Sequence, residues 1–122
     1  MLATIIAPME KTSTPDASLV AKFCKEFLDD NKADDIIVIN VEKKFPLADY
    51  IIIATGNSAR HVISLAQNLR TQTLSQCGVK SLSLIGIEQG DWLLIDLGDV
   101  VVHIFQKATR DYYQLEKRWF DN

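Results

Sequence analysis

DWLLIDLGDVVVHIFQ, residues Asp91 to Gln106, reads as two strands joined by a tight turn. Trp92 to Leu97 and Val100 to Gln106 are rich in β-branched and aromatic residues, and Gly98-Asp99 between them suits a two-residue hairpin loop. Counting outward from that loop pairs Leu97 with Val100, Asp96 with Val101, Ile95 with Val102, Leu94 with His103, Leu93 with Ile104 and Trp92 with Phe105. Side chains alternate across a strand, so the hairpin has two unlike faces. Leu93, Ile95, Leu97, Val100, Val102 and Ile104 make one face purely aliphatic, the composition of core. Trp92, Leu94, Asp96, Val101, His103 and Phe105 make the other, mixing aromatic, aliphatic and ionisable groups as an interaction surface does.

Around this hairpin the chain predicts one α/β domain, a mixed five-stranded sheet with three helices. Residues 1 to 13 read as a flexible tail ahead of a domain spanning 14 to 122. Thr14-Pro15-Asp16 has the makeup of a helix start with Thr14 as the cap. The helix runs to about Asp30, with Leu19, Val20, Phe23, Cys24, Phe27 and Leu28 on its apolar side. Strands are expected over Ile36–Val41 and Tyr50–Thr55. Pro46 between them demands a longer turn, and the unbroken row Ile51-Ile52-Ile53 indicates a strand covered on both faces. Gly56-Asn57-Ser58 turns into a second helix from Ala59 to Gln76, capped by Asn57 or Ser58. Its buried stripe is Val62, Leu65, Ala66, Leu69, Thr73 and Cys77, and Gly78 ends it in the left-handed conformation.

Leu82–Ile87 follows as a short strand, expected to run parallel to residues 50–55 by a right-handed crossover. A last helix from Arg110 to Phe120, capped by Thr109, leaves its buried face ambiguous among Tyr113, Leu115, Glu116 and Trp119. Three helices cannot cover both faces of five strands, so part of one face must stay open. The face bearing Trp92 and His103 is the candidate.

Composition narrows the functional classes. The chain has 122 residues, 48% hydrophobic and 24% charged, which is ordinary for a soluble globular domain. A formal charge of −3, with 13 basic residues scattered among 16 acidic ones, argues against gripping nucleic acid by its phosphates and suits a basic protein partner. Cys24 and Cys77 fall on apolar stripes, read as buried free thiols in a reducing compartment, and no metal-binding spacing occurs. No secretory signal, transit peptide or membrane span is legible, so a cytoplasmic location without membrane contact is expected.

Candidate chemistry can be weighed residue by residue. Asp96 could orient His103 as a general base, but the pairing makes their contact diagonal at best, and Ser81 and Ser83 lie on another strand. A Gly-Ser turn before a helix and a following strand with paired aspartates would present two metal ions to a nucleotide. Here that strand, SLSLIGI, has no carboxylate, and Asp96 and Asp99 cannot project from one strand face. Arg60 and His61 sit at the positive end of the second helix, where cations are slightly unfavourable. Trp92, flanked by aliphatics and ringed with acids, has the makeup of a binding hot spot.

Three segments together carry a family resemblance: ADYIIIATGNSARHV (Ala48–Val62), DWLLIDLGDVVVHIFQ (Asp91–Gln106) and RDYYQLEKRW (Arg110–Trp119). In that order they closely resemble the Iojap-related family of ribosomal silencing factors, over about residue 15 to the end. The resemblance implies a nucleotidyltransferase-like fold without the catalytic groups, and therefore no enzyme activity and no cofactor. It implies binding to the large ribosomal subunit through the basic protein on its intersubunit face, fourteenth in the standard naming. Bound there, such proteins block joining of the small subunit and silence translation when nutrients are scarce; many are homodimers when free. On this reading Trp92 and Leu94 form the apolar centre of the partner surface with Val101 and Phe105 beside them, and Asp96, Asp99 and His103 meet Lys or Arg of the partner. A metal-dependent nucleotidyltransferase and a bare homodimerisation module are the alternatives.

Overall fold

The computed structural model of the chain describes residues 16–120, so the expected tail, Thr14 and Pro15 lie outside the described residues. Helix α1, Ala17–Asp30, is capped by Asp16 rather than Thr14: the Asp16 carboxylate accepts the Ser18 N–H at 2.8 Å and the Ser18 hydroxyl at 2.7 Å. An acid at that position satisfies a free N–H and complements the helix dipole. Val20, Ala21, Cys24 and Leu28 form the buried stripe, while Leu19, expected on it, is 64% exposed.

Strands β1 (Asp34–Asn40) and β2 (Tyr50–Gly56) pair antiparallel, with a register break between Asp34 and Ile37. Helix α2, Ala59–Gln72, starts at Ser58, whose hydroxyl accepts the His61 N–H, and widens into one π turn over Thr73–Cys77. It ends at Gly78 (φ 71°), as the sequence predicts. Strands β3 (Ser83–Ile85), β4 (Trp92–Asp96) and β5 (Val100–Gln106) complete a five-stranded mixed sheet of order β1-β2-β5-β4-β3. The β4–β5 register is the one counted from the turn, from Trp92↔Phe105 to Asp96↔Val101.

Two further expectations change. The strand after α2 is three residues long and does not lie beside β2; it pairs antiparallel with β4 at the sheet edge. Its direction is that of β2, but β5 takes the parallel place there, from Tyr50↔Val100 to Gly56↔Gln106. The short turn from Gly86 to Asp91 leaves β3 no neighbour to reach except β4. The C-terminal helix is also two pieces. Helix α3, Lys107–Tyr113, leaves β5 with no loop, Gln106 being both last strand residue and N-cap. Gln114, left-handed at φ 47°, ends it, and the single turn α4, Lys117–Phe120, follows.

Helices α1 and α2 cover one sheet face. Their stripes pack on Ile52, Ala54, Leu93, Ile95, Val100, Val102 and Ile104, which includes the aliphatic hairpin face. The other face holds a smaller core of Ile39, Val41, Ile51, Ile53 and Phe105, closed by Phe45, Leu115 and Trp119. The Phe45 and Trp119 rings meet at 5.4 Å in an edge-on arrangement. Ile51 to Ile53 are therefore covered on both sides, as their unbroken row predicts. Among the described residues, the β4–β3 end of this face stays open, with Ile85 61% exposed.

Burial sets the expected cost of truncation. Ile52→Ala, at a site with no exposed surface, should lower unfolding free energy by about 3 kcal/mol, and Leu19→Ala by no more than about 0.5 kcal/mol. Urea titration of both variants checks the contrast; equal losses would place Leu19 in the core.

Candidate functional site

Trp92 is half-buried and held from three directions. Its ring lies 4.8 Å from Phe105 directly across the strand pair and 4.9 Å from Tyr113 of α3. Its indole N–H donates to Nδ1 of His103 at 3.0 Å, a diagonal bond across β4 and β5. A half-buried indole needs such an acceptor, and the bond assigns the remaining imidazole hydrogen to Nε2. His103 is 8% exposed, and burial pushes its pKa from 6.5 down to about 4, so it stays neutral and keeps Nδ1 free to accept.

Beyond the indole the surface dips into an open hollow of about 600 Å³. Trp92, Leu94, Ile85 and Tyr113 give it an apolar floor and wall; Glu88, Gln89 and Asp91 give it a polar, acidic rim. Ile85 is 61% and Tyr113 54% exposed, so much apolar surface there faces water. Gly86 makes the wall possible: at φ 105° it lies so close to β4 that a Cβ would sit 2.2 Å from the Trp92 carbonyl oxygen. Tyr112 stands edge-on to Tyr113 at 5.0 Å and extends the aromatic surface outward.

The residues singled out by sequence divide into three groups. Trp92 and Leu94 line the hollow, and half-buried Asp96 and Val101 continue the same face along the hairpin. Asp96 is engaged locally, its Oδ1 accepting the Gly98 N–H at 2.9 Å to brace the turn. Asp99, exposed at the tip, is carried roughly 15–20 Å from Trp92 by the strand rise. Phe105 has no exposed surface and His103 almost none. The expectation that both side chains are open on the hairpin surface is corrected: Phe105 is sealed into the core closed by Leu115 and Trp119, and His103 is buried against the Trp92 indole. Asp96 and His103 are engaged separately, Asp96 Oδ1 by the Gly98 N–H and His103 Nδ1 by the Trp92 indole.

Tyr113, Ile85, Glu88 and Asp91 are the residues that sequence reasoning missed. The signals for Tyr113 were its place in a helix whose apolar side could not be assigned and in the segment RDYYQLEKRW that carries the family resemblance.

Hydrogen bonds within the chain brace the turn at the start of α2. His61 Nδ1 accepts the Asn57 N–H at 2.9 Å, its Nε2 lies 3.0 Å from the Asn31 carbonyl oxygen, and Ser58 accepts the His61 N–H. His61 thus ties the α1–β1 link to α2. Among the described residues no three His, Cys, Asp or Glu side chains converge as metal ligands, and no helix is long and apolar enough to cross a membrane.

The family described as "Ribosomal silencing factor during starvation" matches residues 13–122. The ribosomal silencing factor of Bacillus subtilis is 38% identical over 102 residues, covering 84% of this chain and 86% of that one. A mouse protein named for mitochondrial assembly of the ribosomal large subunit is 33% identical over 90 residues, 71% of this chain and 39% of its own length. A crystal structure of a protein from Chromobacterium violaceum superposes with a TM-score of 0.81 at 39% identity, covering 85% of this chain and 86% of that one.

The His103 site predicts a pH dependence of stability. Its folded pKa of about 4 lies below the ordinary 6.5, so between those values the unfolded chain binds a proton that the folded one excludes. Stability from this group is complete above pH 6.5 and is lost as pH falls toward about 4, by on the order of 3 kcal/mol in total. Urea midpoints from pH 7.5 to 4.5 should therefore fall more steeply for the unmodified chain than for His103→Asn, which does not titrate. Parallel slopes would show that the imidazole is not kept neutral by burial.

Proposed function

We propose that this chain, which belongs to the family of ribosomal silencing factors, represses translation by binding the large ribosomal subunit and keeping the small subunit from joining it. The observation that carries this reading is the Trp92 hollow, an uncovered aromatic and aliphatic surface with an acidic rim. Monomeric soluble domains seldom leave such a surface unused, and interface hot spots are enriched in tryptophan and tyrosine. Its acids suit a basic partner, the ribosomal protein numbered fourteenth on the intersubunit face. The name of the mouse relative, which refers to the large subunit, supports the choice of subunit.

Trp92, Leu94 and Tyr113 then form the apolar contact. Glu88 and Asp91 at the rim, with Asp96 and Asp99 farther along the hairpin, meet Lys or Arg. Val101 flanks the contact, and His103 and Phe105 hold the indole from below. The mechanism is steric and no bond is made or broken: a folded domain seated on the intersubunit surface occupies the volume the small subunit needs. Asp96 is engaged by the Gly98 N–H of the turn, and at the start of α2 the Ser58 hydroxyl is engaged by the His61 N–H. Both features favour binding over nucleotidyl transfer. The site of action on this reading is the cytoplasm.

Co-sedimentation with isolated large subunits, small subunits and assembled ribosomes tests the proposal. The chain should pellet with large subunits and, when added first, lower the yield of assembled ribosomes. Trp92→Ala should weaken binding roughly 30-fold, equivalent to about 2 kcal/mol. Asp99→Lys, at the exposed hairpin tip, should weaken it through like charge with unchanged folding, whereas Asp96→Lys should also loosen the turn by removing the acceptor of the Gly98 N–H. A Trp92→Ala chain that binds large subunits at full strength but no longer self-associates would instead assign the hollow to pairing between copies.

A further inference from the structure

Arg110 is 6% exposed, which is unusual for a cation and costly unless its donors are matched. One terminal nitrogen, Nη1, donates to the Asp35 carbonyl at 2.6 Å and to the Thr55 hydroxyl at 2.8 Å; Nε donates to Glu116 Oε2 at 3.3 Å. These partners come from different elements. Asp35, left-handed at φ 48°, lies in the register break of β1; Thr55 is near the end of β2; Glu116 follows the break after α3. One side chain on α3 thus reaches across β5 to both strands beyond it.

Helix α3 has little else to fix its direction. It is seven residues long, too short to be stable alone, and it springs from β5 without a loop. The Lys107–Asp111 pair on it is largely exposed and contributes little. Arg110 lies one turn before Tyr113, and its carbonyl accepts the Gln114 N–H at 2.8 Å where the helix stops. The same residue therefore anchors α3, its end and the returning Glu116, while Tyr113 closes over Trp92 at 4.9 Å.

We propose that Arg110 is a positioning residue for the docking hollow: by gripping Asp35 and Thr55 it sets where α3 places Tyr113 against Trp92. This rests on reading the hollow as the ribosome-contacting surface. The guanidinium fork suits the task because it serves several acceptors in fixed directions, whereas an ammonium on a flexible stem does not.

The test uses the full chain with Trp119→Phe, leaving Trp92 as the one indole of the two. Arg110→Lys in that background should unfold cooperatively, shift Trp92 emission to longer wavelength as Tyr113 moves off it, and bind large subunits roughly five- to tenfold more weakly. Tyr113→Ala should produce the same shift and a loss of at least that size. The double variant should be no worse than Tyr113→Ala alone, because both act through one contact. Additive losses, or an unshifted emission with weakened binding, would overturn the proposal. If Arg110→Lys does not fold, Thr55→Val removes one acceptor while keeping the guanidinium, and the same non-additivity with Tyr113→Ala is expected. The emission measurement needs no ribosome, so failure of the unmodified chain to bind large subunits would refute the functional reading and leave the positioning role decided by spectroscopy.

Discussion

The antiparallel pairing of β4 with β5 across Gly98-Asp99 constrains everything else in this fold. With a two-residue turn the register has one value, Trp92 opposite Phe105 and Asp96 opposite Val101, and alternation then commits every side chain to a face. A slip of one residue would drive Leu93, Ile95, Val102 and Ile104 out from under α1 and α2 and put Trp92, His103 and Asp96 in their place. The aliphatic side holds that register through burial, and the aromatic side is held to it by the bond from the Trp92 indole to His103. The neutrality of His103, enforced by its surroundings, is part of the same constraint.

Covering the aromatic side falls to the C-terminal segment, and it covers only part. Leu115 and Trp119 meet Phe45 over β1, β2 and β5 and turn that area into a second core. Tyr113 stops at the edge of Trp92 and leaves β4 and β3 facing water. One sheet face is thus interior at one end and exterior at the other, and the line between them runs through the indole. Residues of similar chemistry take different roles on its two sides: Phe105 supports from below, and Tyr113 presents from above.

That division suits a protein whose proposed work is to occupy space on a large assembly. The apolar contact groups Trp92, Leu94 and Tyr113 stand on a strand and on an anchored helix end, so little of their freedom remains to be lost on docking. The acidic rim adds attraction to a basic partner without burying unpaired charge in the domain's own core. Arg110, the one deeply buried cation among the described residues, is matched by a carbonyl, a hydroxyl and a carboxylate.

Local and pairwise features were legible in the sequence. The hairpin register, the two unlike faces, the doubly covered isoleucine row, the cap at Ser58 and the left-handed Gly78 each depend on neighbours within a few residues or on strict alternation, and all stand as expected. That part of the Trp92 face stays open was also legible, because three helices cannot cover both faces of five strands; Trp92 itself stands at the border of the open part. Tertiary structure alone decided how far that face is open. Whether Phe105 is open or buried depends on where Leu115 and Trp119 pack, and that depends on the helix break at Gln114, which no periodicity announces. The partnership of Arg110 with Asp35 and Thr55 spans 75 and 55 residues. Such contacts arise from which elements the finished sheet brings side by side, and a one-dimensional pattern carries no record of that.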